Sequence, residues 1–327
     1  MTSRPLTTAA LALTATTLFG AVAPGFAAAP QDGPSSPAAA AMAKLESIST
    51  KPGSTTSRFK GTVNLAAIGQ PGGAIAVQGT SANQPVLDGA GMLSITRMGD
   101  ETSLDYMGYR TDTRQYYLLS MAADPVAIQY LAGTLTGPRT LKLTDPMTQV
   151  TAETVFTDTD ATSKVRVPPT QAVFMDLITT PGEKPAGDLL ESILSAGKTA
   201  APAGASPEER ALLSLAGDYT TPRGGLIRAR TAGNGRYLIA QDPGGLQFLA
   251  WNPQIKMVQM FVVNQGTSPT YLQGPVAADG SMVLTDPFNP NNTVTIAPAG
   301  DGAISVKRGN RMAEVMKASG SPAAKQD

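Results

Sequence analysis

The chain of 327 residues contains no histidine and no cysteine. Together these absences exclude Ser-His-Asp and Cys-His nucleophile systems, the usual zinc sites, His-ligated haem and thiol redox chemistry. They also leave no disulfide and no lipobox cysteine, so no lipoprotein anchor is expected. Charge is sparse: Asp, Glu, Lys and Arg make up 15% of the residues, with 25 of each sign. No basic footprint for nucleic acid appears. Aromatic residues amount to 5%, with one tryptophan, Trp251. Beyond the first residues no apolar run reaches the length of a membrane-crossing helix. A carboxylate pair, Ser-Lys chemistry or an oxygen-ligated Ca²⁺ site remains open.

What is plentiful is glycine (33) and proline (26) in a chain that is 42% hydrophobic. That balance suits many short strands joined by turns. The first residues read differently. Arg4, the Thr-diluted apolar stretch Leu6–Phe26 and Ala27-Ala28-Ala29 form an export signal of the Sec type. The mature protein is therefore expected to be periplasmic or secreted, with no membrane span.

One stretch occurs twice. Tyr130–Pro146 and Tyr271–Pro287 share seven of seventeen residues without a gap: Tyr, Leu, Gly and the closing Leu-Thr-Asp-Pro. Leu104-Asp105-Tyr106-Met107-Gly108-Tyr109 likewise matches Leu246-Gln247-Phe248-Leu249-Ala250-Trp251 in pattern. Around these lie ten strand-length runs from Phe59 to Ile178 and eight from Leu226 to Arg308, punctuated by turn residues such as Asn234-Gly235 and Asp279-Gly280. Helical spacing marks Ser36–Ile48, Ala186–Ser195 and the stretch opened by Ser206-Pro207-Glu208-Glu209, where a capping Ser precedes a first-turn Pro. A further short helix is expected after Asn310, through Lys317.

At these residues a resemblance enters. Val86-Leu87-Asp88-Gly89-Ala90-Gly91-Met92-Leu93, Leu104–Tyr109 and Leu143-Thr144-Asp145-Pro146 resemble the bacterial family called domain of unknown function 1579. The resemblance covers roughly Gly61–Phe156 and, more weakly, Leu215–Val306. It implies lipocalin-type antiparallel barrels and no assigned activity. It also implies that Gly217-Asp218-Tyr219 stands where such barrels open with Gly-x-Trp, and that Arg308 covers the Tyr219 ring.

The expected fold is all-β: two tandem antiparallel lipocalin-like β-barrels, with short helices in the linker and before each barrel. The expected division is 1–29 signal peptide, 30–58 flexible lead-in with a short helix, 59–178 first barrel, 179–205 helix and linker, 206–318 second barrel and 319–327 polar tail.

Several motifs dissolve on inspection. Ser195-Ala196-Gly197-Lys198 has the Ser-x-x-Lys spacing of penicillin-recognising enzymes but lacks the accompanying Ser-Asp-Asn and Lys-Thr-Gly elements. Gly197-Lys198-Thr199 lacks the upstream glycine of a phosphate loop. Gly233-Asn234-Gly235 reads as a hairpin rather than a dinucleotide loop. Asp145 and Asp286, each before Pro, read as turn residues more than as catalytic or Ca²⁺-binding acids. Tyr106, Tyr117, Phe248 and Trp251 are the candidate lining of a ligand pocket, weighed against an ordinary core. Arg228, which shares a strand face with Arg230, is the candidate for an anionic head group. The expected function is binding of a small apolar or amphipathic ligand, without cofactor, metal or catalysis. The alternative is an envelope structural or interaction module.

Overall fold

A computed structural model of the chain describes residues 36–48, 56–99, 101–123, 126–182, 188–196, 201–264 and 267–319. The expected leader, Lys198 and nearly all of the polar tail lie outside the described residues. Two closed antiparallel barrels follow one another in the chain, each of ten strands joined in sequence order.

The first comprises β1 (Thr56–Asn64), β2 (Ala74–Val86), β3 (Gly91–Met98), β4 (Glu101–Arg110), β5 (Gln115–Ala123), β6 (Val126–Gly137), β7 (Thr140–Thr144), β8 (Thr151–Phe156), β9 (Ala161–Val167) and β10 (Ala172–Pro181). It closes where β10 pairs back on β1, Thr179 opposite Phe59. Alternation sets the two faces. In β9, Ala161, Ser163, Val165 and Val167 are buried between half-buried Thr162, Lys164 and Arg166.

The second comprises β11 (Gly217–Thr220), β12 (Leu226–Ala232), β13 (Tyr237–Asp242), β14 (Gly245–Asn252), β15 (Met257–Asn264), β16 (Thr270–Gly274), β17 (Met282–Asp286), β18 (Asn289–Pro298), β19 (Ile304–Arg308) and β20 (Glu314–Ala318). Here one sequence expectation needs correction. Gly217–Thr220, at the expected barrel opening, is a strand ahead of the eight runs from Leu226, but the helix expected after Asn310 is instead β20. Residues such as Met312, Ala313 and Met316 favour helix in isolation. Barrel closure overrides that preference, because β20 is hydrogen-bonded to β19 on one side and to β11 on the other. Met316 is buried and its neighbour Val315 is exposed, the alternation of a strand.

Each barrel has a helix before its first strand. In α1 (Pro37–Ser47), the Ser36 hydroxyl accepts a hydrogen bond from the Ala39 N–H at 3.1 Å and Pro37 takes the first turn. Met42 and Leu45 enter the first barrel's core, and the Tyr116 hydroxyl donates to the Ala41 carbonyl at 3.0 Å. After α2 (Leu189–Leu194) comes α3 (Pro207–Leu213), capped the same way by Ser206 at 3.1 Å, with Leu212 in the second barrel's core. A 3₁₀ turn, Leu65–Ile68, packs three apolar side chains against the first core at the opposite end from α1.

The repeated stretches occupy equivalent places. Leu104–Tyr109 and Leu246–Trp251 lie on the fourth strand of their barrels, and the Tyr-Leu-x-Gly…Asp-Pro copies form the sixth and seventh. Their shared glycines have a common cause. A Cβ on Gly133 would collide with the Lys142 carbonyl oxygen, and a Cβ on Gly274 with that of Val283, the same position twelve residues after each repeat's Tyr. The shared aspartates also agree. Asp145 Oδ1 accepts from the N–H groups of Met147 and Thr148 at 2.8 and 3.1 Å, and Asp286 Oδ1 from those of Phe288 and Asn289 at 2.8 and 3.2 Å. These acids build turns.

Candidate functional site

Strand register places one interior row at the same level in both barrels, and the two rows differ chemically. In the first barrel Asn83, Ser94, Asp105, Ser120 and Gln129 stand side by side across β2–β6. All five are buried. Ser94 donates to Asn83 at 2.6 Å, Ser120 to Asp105 at 2.5 Å, and the Gln129 amide to Asp145 at 3.2 Å. Polar side chains occupy this level, partly hydrogen-bonded to one another, while Asn83 Nδ2 and Gln129 Oε1 have no partner among the described residues.

In the second barrel the corresponding row runs Ala229, Ala240, Gln247, Val262 and Thr270 across β12–β16. The match follows from the fourth strands, where Asp105 and Gln247 hold the same place in the repeated six residues. Two adjacent alanines replace Asn83 and Ser94, and a cavity of about 370 Å³ opens beside them. That volume falls in the range of roughly 300–1,000 Å³ usual for small-molecule sites.

The cavity has an apolar shaft and a polar mouth. Its shaft is walled by Leu238, Leu249, Met260, Ile296 and Val306, with Leu215 and Tyr219 toward the end where α3 sits. Burial raises the Tyr219 hydroxyl pKa and keeps it neutral, and it donates a hydrogen bond to the Leu215 carbonyl at 2.9 Å. At the other end the polar liners are Asp242, Gln247, Asn264 and Arg308. Topology explains the segregation. Asp242, Asn264 and Arg308 close β13, β15 and β19, and alternate strands of an antiparallel barrel finish at the same end. Asp242 accepts from the Gly244 N–H at 2.8 Å and from the Gln247 amide at 3.1 Å. Arg308 is exposed at the mouth, and among the described residues its guanidinium makes no hydrogen bond or ion pair.

None of the five residues expected at a pocket lines this cavity. Trp251 does face the second barrel's interior, as part of its packed core. The other four occupy outward strand positions, which corrects the expectation. Tyr106 and Tyr117 lie on the outer face of β4 and β5, with ring centroids 5.9 Å apart, and Tyr117 stacks on Tyr130 at 6.2 Å. Their rings cover Gly91 and Gly108, whose missing side chains make room for them. Phe248 pairs with Phe261 on the outer face of β14 and β15. Arg228 is opposite Gln241 and donates to it at 2.8 Å, while its strand-mate Arg230 binds Asp218 at 2.7 Å.

The cores take Met107 from β4 and Leu249 and Trp251 from β14, which leaves Tyr106 and Phe248 facing outward. Arg308 and Tyr219 share the cavity wall, but no ring–cation contact joins them among the described residues. Sequence reading passed over Ala229 and Ala240 because small apolar residues carry no chemistry. Setting the two copies side by side, strand for strand, would have exposed them against Asn83 and Ser94.

A wider depression of about 850 Å³ lies on the first barrel. Its wall includes Arg58, Lys60, Gln78 and Thr80, outward-facing residues of β1 and β2, so it is a surface hollow rather than an interior site. Among the described residues no group of three or more Asp or Glu side chains could hold a metal ion. No described helix is long and apolar enough to cross a membrane.

No family model matches the chain, and no curated protein matches it. Among solved structures, a tryptophan-to-alanine mutant of the vaccine antigen transferrin binding protein B from Haemophilus parasuis Hp5 aligns at 8% identity. The alignment covers 81% of this chain and 76% of that one with a TM-score of 0.16, too low to relate the two folds.

Proposed function

We propose that the second barrel binds a small apolar or amphipathic molecule in its interior. The observation that carries this reading is the paired contrast between the barrels. The same interior row carries larger, partly hydrogen-bonded polar side chains in the first barrel and the small Ala229 and Ala240 beside the cavity in the second. A shaft walled by Leu, Ile, Val and Met favours apolar matter by about 25 cal/mol for each Å² removed from water. The leader-like residues 1–29 support an exported protein, and the quoted motifs support kinship with domain of unknown function 1579.

The test is a titration of the full chain with the neutral fluorophore phenylnaphthylamine. Binding at one site per chain is expected. Ala240→Phe, which projects a ring into the void, should weaken binding at least about tenfold, or ~1.4 kcal/mol, with an unchanged circular dichroism spectrum. Unaltered affinity in a folded Ala240→Phe variant would refute the reading.

A further inference from the structure

We infer that the molecule taken up by the second barrel is an amphipathic anion, its chain in the shaft and its charged head beside Arg308. This rests on the cavity reading above and adds the chemical class of the ligand.

The shaft offers a head group nothing. Leu238, Leu249, Met260, Ile296 and Val306 are apolar, and the Tyr219 hydroxyl already donates its hydrogen bond to the Leu215 carbonyl. A charged head left there would be desolvated without compensation, so orientation is fixed with the head at the mouth. Two charged side chains line that mouth, and they are not in equivalent states. Asp242 is engaged on both carboxylate oxygens, one by the Gly244 N–H and the other by the Gln247 amide. Arg308 keeps its guanidinium donors uncommitted among the described residues, and the planar fork matches a carboxylate or phosphate edge. The two also stand apart round the wall. From β13 to β19 the sheet passes through β12, β11 and β20. An anionic head can therefore sit beside Arg308 away from Asp242, whereas an ammonium head would compete with bonds Asp242 already makes.

Arg308 is exposed, so water and salt screen its attraction. The preference for an anion is accordingly modest, no more than about fivefold, and salt-dependent.

Calorimetric titration of the full chain with decanoate, decanol and decylammonium tests this. Decanoate should bind about threefold to fivefold more tightly than decanol, and decylammonium more weakly than either. In Arg308→Gln the decanoate-to-decanol ratio should fall to about one, while Arg308→Lys, which keeps the charge but not the fork, should retain part of it. Rising salt should shrink the ratio in the wild type. Equal binding of decanoate and decanol, or an unchanged ratio in Arg308→Gln, overturns the anion inference and leaves the cavity reading standing. Failure of all three compounds to bind while phenylnaphthylamine binds overturns the anion inference alone, and failure of phenylnaphthylamine to bind as well removes both.

Discussion

Gly274→Ala should lower the stability of the second barrel, against the usual direction of such a change. Replacing glycine by alanine where the backbone tolerates it gains about 0.4–1 kcal/mol, chiefly by restricting the unfolded chain. At Gly274 the added Cβ would strike the Val283 carbonyl oxygen and stand 2.9 Å from the Val283 carbonyl carbon and 3.2 Å from Leu284 Cα. All three are backbone atoms, so no side-chain rotation relieves the clash. Only separation of β16 from β17 can, and overpacking of that kind costs about 1–3 kcal/mol. Against the entropic gain, a net loss of ~1.3 kcal/mol is expected. With a urea slope of about 1–3 kcal/mol per M, the unfolding midpoint should drop by about 0.6 M. Trp251, the chain's one tryptophan, sits in this barrel's core and makes its fluorescence the direct readout. Gly244→Ala is the control in the same barrel, since the nearest atom to its Cβ is Asp242 Oδ1 at 3.5 Å, an ordinary contact. A Gly274→Ala midpoint equal to or above the wild type would show that the close strand approach is not what fixes this repeated glycine.

The repeated aspartates should differ in what they contribute. Asp286→Ala loses two exposed turn bonds and should cost about 1 kcal/mol, whereas buried Asp145→Ala also orphans the Gln129 amide and should cost ~2–3 kcal/mol. Thermal unfolding followed by circular dichroism orders the two, and the reverse order would discredit the polar row. Alkaline stability offers a further check, because burial pushes the Tyr116 hydroxyl up to about 12. The unfolded group titrates near ~10, so the fold favours the protonated phenol. Its contribution is complete below pH ~10 and is lost as pH climbs toward about 12. Tyr116→Phe should show a flatter decline in urea midpoint across that window.

The architecture was legible in the chain because alternation and turn chemistry are local signals. Asn234 and Gly235 both adopt positive φ at the expected corner, and all ten runs between Phe59 and Ile178 are strands. Gly217–Thr220 and Glu314–Ala318 were not legible as strands, since they exist by pairing with each other across barrel closure, nearly a hundred residues apart. The site was hidden for a different reason. A void is produced by what Ala229 and Ala240 do not occupy, and no residue type announces it. Aromatic residues drew the eye instead. Which face Tyr106, Tyr117 and Phe248 take depends on one residue of parity, which their own strands leave open because both faces carry apolar side chains: Leu104 and Tyr106 on one side of β4, Met107 on the other.

The row of Asn83, Ser94, Asp105, Ser120 and Gln129 has a consequence for how the first barrel finds its alignment. A strand that slides by two residues keeps every inward side chain inward, so burial of apolar surface scarcely opposes the mistake. Matched donors and acceptors do oppose it. Shifted by one such step, Ser120 no longer meets Asp105 and Ser94 no longer meets Asn83, stranding polar groups where water cannot reach them. The row works as the teeth of a ratchet, opposing slippage of β2 against β3 and of β4 against β5, and the second barrel, with alanine at the first two of those places, relies on its hairpin corners and the tight crossing at Gly274.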